Sequence, residues 1–209
     1  MHQLLTDRQT SPRCGPDFGL VLLADEMDDR RVRDGTLGCP NCRDAFPIRD
    51  GFADVRAPPR GELPAGRATI PADGSEEEAV RLQALLDIRR GPGTVVLVGG
   101  PAGLASLLAD SVDELQVVAV DPAARMWRDH PGVSRMTGFP GLPFFSRTMR
   151  GAVVDGAMGG DVVREGARVV APGARVVVVN APSDAEEILA DGGLSVLVAE
   201  SETVVATRG

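Results

Sequence analysis

The chain has 209 residues, a net charge of −8, 43 % hydrophobic residues, and neither lysine nor tyrosine; that is enough apolar content for a packed core in one large unit or in a small unit plus a medium one. Residues 61–209 carry 13 Arg against 20 acids and residues 1–60 carry 9 against 10, an acidity that argues against direct nucleic-acid binding, which needs a basic face. No apolar run approaches about 18 residues and no basic-then-apolar leader opens the chain, so a cytoplasmic protein with no membrane partner is expected.

The first stretch reads as β-rich. FGLVLLAD (18–25), RRVRDGTLGC (30–39) and DAFPIRDG (44–51) carry strand-forming residues between turns. The mixed-charge tip DEMDDRRVRD (25–34) reads as solvated. APPRGELPAGRATIPADG (57–74) is rich in Pro and Gly without periodicity and reads as a linker. The chain therefore divides into a small unit at 1–58, a linker at 59–74 and a larger unit at 75–209.

In the larger unit SEEEAVRLQALLDIRR (75–90) reads as a helix, with Ser75 and Glu78 in capping-box spacing. Strands and helices then alternate. TVVLV (94–98), LQVVAV (115–120), VSRMT, GAVVD (151–155) and ARVVVVN (174–180) are apolar runs expected of strands buried on both faces. PAGLASLLAD, PAARMW, GDVVREGARVVA and SDAEEILADGG are the intervening helices, the third ended by Pro172-Gly173. LSVLVAE and TVVATR close the chain as an antiparallel pair. This alternation predicts an α/β fold with a doubly wound, Rossmann-like sheet.

Two places carry chemistry. Cys39-Pro-Asn-Cys42 has the spacing that turns two thiolates toward one ion, and Cys14-Gly-Pro-Asp17 repeats it with a carboxylate in the fourth place. Three cysteines with one C-x-x-C pair suit a metal site in a reducing compartment better than disulfides. Cys14, Asp17, Cys39 and Cys42 are the expected zinc ligands, closing a structural tetrahedron, with His2 as the competitor for Asp17. The second place is the loop after the first buried strand, VGGPAGLAS, in which Gly99, Gly100 and Gly103 let backbone approach a ligand at a helix N-terminus. Asp121, followed by Pro122, stands at the tip of the second strand, where a carboxylate accepts the hydroxyls of a ribose. A dinucleotide and S-adenosylmethionine both fit that pair of features.

Two resemblances narrow the choice. GTLGCPNCRDAFPIRDGFADVR (35–56) resembles the small zinc-ribbon proteins that activate methyltransferases acting on tRNA, rRNA and release factors; Asp17 replaces a cysteine of that pattern, and Phe52-Ala53 replaces Ile-Pro. Residues 76–208 resemble class I methyltransferases in TVVLVGGPAG, VVAVDPAARM, GLPFFSRTMRGAVVDGAM and EGARVVAPGARVVVV. The resemblance implies S-adenosylmethionine as cofactor and a seven-stranded sheet with a reversed last hairpin, preceded by a small β-rich zinc ribbon.

The departures from that family are as informative. Its strand-one acid falls at Leu97, its middle glycine at Pro101, its adenine-facing acid at Gly138 and its acid before strand four at Gly151. DGAMGGD replaces the acceptor loop after strand four. Asp155 reads as a solvated strand-end acid, with a general base facing the pocket as the alternative; His130 reads as a surface residue and Trp127 as a packing residue. Three functions stay open: a methyltransferase with an unknown acceptor, a non-catalytic pseudo-methyltransferase serving as structural or regulatory partner of another protein (a methyltransferase or its substrate), and a dinucleotide oxidoreductase.

Overall fold

The protein is described from a computed structural model covering residues 1–69, 75–138 and 141–209. After a 3-10 turn at Gln3–Arg8, the first unit contains a short pair, β1 (Thr10–Ser11) and β2 (Gly15–Gly19), then β3 (Val21–Asp28), β4 (Arg31–Gly38), β5 (Ala45–Arg49) and β6 (Phe52–Asp54). The second contains α1 (Ser75–Leu86), β7 (Gly93–Val98), α2 (Ala105–Ser111), β8 (Leu115–Val120), β9 (Val133–Thr137), β10 (Met149–Asp155), α3 (Gly160–Val169), β11 (Val170–Val179), α4 (Ala185–Asp191), β12 (Leu194–Glu200) and β13 (Thr203–Arg208). No helix among the described residues is long and apolar enough to cross a membrane.

The strands of the second unit run β12-β13-β11-β10-β7-β8-β9. β7 to β11 pair in parallel, while β13 is antiparallel to β11 and to β12. The reversed last hairpin is as the family resemblance implies, but these seven strands are only part of the sheet. The apolar runs are explained by burial on both faces. Val95 and Leu97 of β7 join the cluster that contains Leu82, Leu86 and Leu108, whereas Val96 and Val98 join the opposite one with Val163 and Leu189.

The sheet does not stop at β9. β6 pairs with it in parallel, Phe52 opposite Arg135 and Thr137 opposite Asp54, and the order continues β6-β5-β4-β3 to give eleven strands. The expected seven-stranded sheet is thus the larger part of one continuous sheet. Leu37, Phe46, Ile48 and Val55 of the first unit share a buried cluster with Val118, Val120, Met136 and Phe144 of the second. Residues at the chain start cover the same face, with Met1 and Leu5 buried.

Three local expectations shift. The helix starting at Ser75 ends at Leu86, because Asp87 turns to a φ of 55°; the Ser75 side chain lies outside the description. The turn after β7 is 3-10 (Gly100–Leu104) before α2 begins. The helix expected to reach Pro172 ends at Val169, and β11 starts at Val170, where the β-branched pair Val169-Val170 favours extension. Pro172 and Gly173 sit inside a register break between the pairs Val170–Met149 and Arg175–Gly151.

The hairpin tip expected to be merely solvated is tied to the second unit. Arg31 is 9 % exposed. It donates through Nε and Nη2 to Asp129 at 3.1 and 2.6 Å, and to the carbonyls of Pro131 and Val133. Arg33 adds a 2.7 Å bond to the same carboxylate, and Arg135 donates to the Asp50 carbonyl in the turn before β6.

Candidate functional site

In a doubly wound sheet the ligand crevice lies beyond the carboxyl ends of the strands where the chain switches direction. Here that point is between β7 and β10, since β8 and β9 follow β7 on one side and β10, β11 lie on the other. The expected residues gather there. Gly99 turns the chain with a φ of 72°, its N–H on the Val120 carbonyl. Asp121 follows β8 and caps the turn beginning at Pro122 by accepting from the Ala123 N–H at 2.8 Å. Leu97, in place of an acid, is fully buried in the core.

The crevice already holds a segment of the chain. Within the stretch expected to be a linker, the backbone N–H of Arg67 donates to Asp121 Oδ2 at 3.0 Å, and Asp121 is 1 % exposed. Gly66 lies so close to Asp121 and Ala123 that any β-carbon there would overlap both. One residue past Ala68, which is buried in the α2-side cluster, the Thr69 carbonyl occupies the space of a β-carbon on Gly103. Residues 66–69 therefore form a strap across the glycine loop and Asp121. Residues 70–74 of the expected linker lie outside the described residues.

Asp155, expected as a solvated acid, is 3 % exposed at the end of β10. Its Oδ2 accepts from Arg67 Nε at 3.0 Å, and its Oδ1 from Asn180 Nδ2 at 3.0 Å and from the Ala157 N–H at 3.2 Å. Burial opposes its charge, but the bonds from Asn180 and Arg67 outweigh that and hold the carboxyl below the usual aspartate range. An anion ringed by donors in this way is a structural ion pair; a general base would need a vacant face toward a substrate. Gly66, Arg67 and Asn180 escaped the sequence reading. The one signal was Arg67 itself, the only charge between Glu62 and Asp73.

His130 bonds Asp110 at 3.1 Å beside α2, and Trp127 packs on the α2-side cluster. Neither touches the crevice carboxylates. Gly138 packs against Pro143 and the Val55 carbonyl.

The second candidate site lies at the β4–β5 turn. Cys39 ends in a tight turn, with the Arg43 N–H on its carbonyl, and this brings Cys42 back beside it. Cys14 comes from the β1–β2 turn, so the sulfurs of Cys14, Cys39 and Cys42 all lie within 4.8 Å of one another. Burial works against ionising Cys39, but hydrogen bonds from Ser11 and from the backbone of Cys42 and Asn41 bring its thiol down to about 7; burial pushes Cys42 up. Asp17 is exposed on β2 and outside this cluster. The first C-x-x-D does not form a knuckle, because Gly15 (φ 85°) leads straight into an extended strand. His2 lies elsewhere, beside a hollow of about 420 Å³ at the starts of β7 and β8.

No protein-family model matches the chain, and no curated protein matches it. Among solved structures, similar ones include a complex of the Haloferax volcanii Trm112 methyltransferase activator (TM-score 0.47, 15 % identity, 65 % of this chain and 94 % of that one). Others are a SAM-dependent O-methyltransferase from Thermotoga maritima (0.45, 13 %, 67 % of each) and the precorrin-6y C5,15-methyltransferase of Geobacter metallireducens (0.49, 14 %, 69 % and 94 %). At these scores the likeness adds nothing to the topology described above.

Proposed function

We propose that this chain is a non-catalytic, methyltransferase-like protein in which an activator-type ribbon is built onto the sheet in cis, with zinc held by the ribbon's cysteines. The observation that carries this reading is the bond from the Arg67 N–H to Asp121 Oδ2 at 3.0 Å. A carboxylate that would bind ribose hydroxyls is instead satisfied by backbone N–H groups, and a buried acceptor already paired has little to offer a ligand. The other groups of a nucleoside site are replaced by Leu97, Pro101 and Gly138, and no acceptor loop follows β10. The role that remains is that of a structural or regulatory partner. The edge strand β3, with Val21, Leu23 and Met27 exposed, is the free strand edge of the ribbon end, and an unpaired edge invites strand addition.

Calorimetric titration of the full chain with S-adenosylmethionine and S-adenosylhomocysteine tests this. No heat at millimolar ligand is the expected result. Saturable binding that is lost in Asp121→Ala would overturn it in favour of a methyltransferase. That second reading is favoured by one observation: Gly99, Gly100, Gly103 and Asp121 still converge at the switch point.

A further inference from the structure

The cysteine cluster has the dimensions of a metal site with one corner missing. Cys39 Sγ and Cys14 Sγ are 3.7 Å apart, and the edge of a zinc–sulfur tetrahedron with bonds of about 2.3 Å is about 3.8 Å. Among the described residues no fourth Cys, His, Asp or Glu atom joins the three sulfurs. The polar side chains bonded to the sulfurs are Ser11, whose Oγ is 3.8 Å from Cys42 Sγ, and Asn41, whose Nδ2 is 3.3 Å from Cys14 Sγ. A neutral hydroxyl and an amide nitrogen are not the donors zinc takes in proteins. Pro40 and Asn41 on the knuckle are exposed, and Cys14 and Cys42 are only half-buried, so solvent reaches the cluster.

We infer that Cys14, Cys39 and Cys42 hold one zinc ion whose fourth position is open and takes a low-molecular-weight thiol as an exchangeable ligand. This rests on the zinc part of the proposed function. Three protein ligands plus a solvent-held position is the pattern of reactive rather than structural zinc sites. With three thiolates already bound the centre is soft, and a fourth thiolate suits it better than an oxygen donor. In the exchange a zinc–water bond breaks and a zinc–sulfur bond forms. The thiol's proton goes to solvent, and no oxidation state changes.

The test uses the full chain kept reduced with a sulfur-free phosphine and loaded with cobalt(II) as a spectroscopic stand-in for zinc. One ion per chain is expected, with a tetrahedral cobalt spectrum that shifts on titration with 2-mercaptoethanol and returns when the thiol is removed. Asp17→Ala should take up the same amount of metal with the same spectrum, and Cys39→Ser should lose it. A spectrum that 2-mercaptoethanol leaves unmoved, or one altered by Asp17→Ala, would mean that the chain itself closes the fourth position, leaving metal binding intact and sinking only the open site. No metal uptake by the wild-type chain would sink both the open site and the zinc reading on which it rests.

Discussion

Phe52 of β6 lies in parallel register opposite Arg135 of β9, and this pairing joins the strands of the first unit and the doubly wound sheet into one sheet. Phe52 is buried in the α2-side cluster, and its neighbour Ala53 in the opposite one. Truncating a buried Phe costs about 3–5 kcal/mol. Phe52→Ala is therefore expected to lower the denaturant midpoint of the whole protein in one transition. Two separate transitions, with only the first unit affected, would contradict a shared core.

The same continuity predicts what happens when the chain is cut. Proteolysis between Gly61 and Gly74 breaks the covalent link but leaves the β6–β9 ladder and the cluster of Phe46, Val55, Met136 and Phe144 in place. The two fragments should co-elute on gel filtration without denaturant and separate only in urea. Separation under native conditions would show the interface to be weak.

Asp129 ties the Arg31 and Arg33 side chains of the hairpin to the second unit. Burial raises its carboxyl, but the hydrogen bond and charge of Arg31, with Arg33 and Arg135 behind, win and lower it. A depressed folded-state pKa gives stability that is present above the ordinary aspartate range and lost as pH falls through the depressed value. Asp129→Asn should cost about 2 kcal/mol at neutral pH, the scale of a charged hydrogen bond. As pH falls through that lowered value the wild type and variant should converge in denaturant unfolding. A gap that stays constant throughout the acid limb would remove Asp129 from the account.

Gly66 is the residue on which the strap depends. Gly66→Val places a side chain where Asp121 and Ala123 already are, so residues 61–69 should lose protection in hydrogen exchange while the sheet keeps its own. The melting temperature should fall by only a few degrees, since the strap adds few bonds to a large core. Titration of this variant with S-adenosylhomocysteine separates the two functional readings. No binding with the strap released is expected of a degenerate site, whereas binding that appears only in the variant would make the strap an inhibitor of a working one.

Arg67 and Asp155 add a pH-dependent element to the same strap. Because the Asp155 carboxyl is depressed, its hold on Arg67 is complete above the usual aspartate range and fails in acid as pH falls through the lowered value. Arg67→Ala should abolish that dependence in strap exchange rates; an unchanged acid profile would assign it elsewhere. Arg67 is half exposed (49 %), so the contribution to global stability is small.

The sequence by itself determined where the buried parallel strands of the second unit lie, apart from the early start of β11. Continuous apolar runs such as LQVVAV can be buried only on two faces, and β8 spans that run with no shift of boundary. Gly99, Gly100 and Asp121 were legible as strand-tip residues for the same reason, because the end of a buried run marks where the chain turns. The tertiary structure alone decided what those tips face. A Pro- and Gly-rich stretch has no periodicity to say whether it is solvated or packed, and Gly66–Thr69 became the occupant of the crevice through contacts with residues more than thirty positions away. It also decided which spacing makes a metal corner. Cys39-Pro-Asn-Cys42 and Cys14-Gly-Pro-Asp17 are equivalent as text, but the backbone turns back at Arg43 in one and runs on as strand β2 in the other, and a side chain points where its backbone conformation sends it.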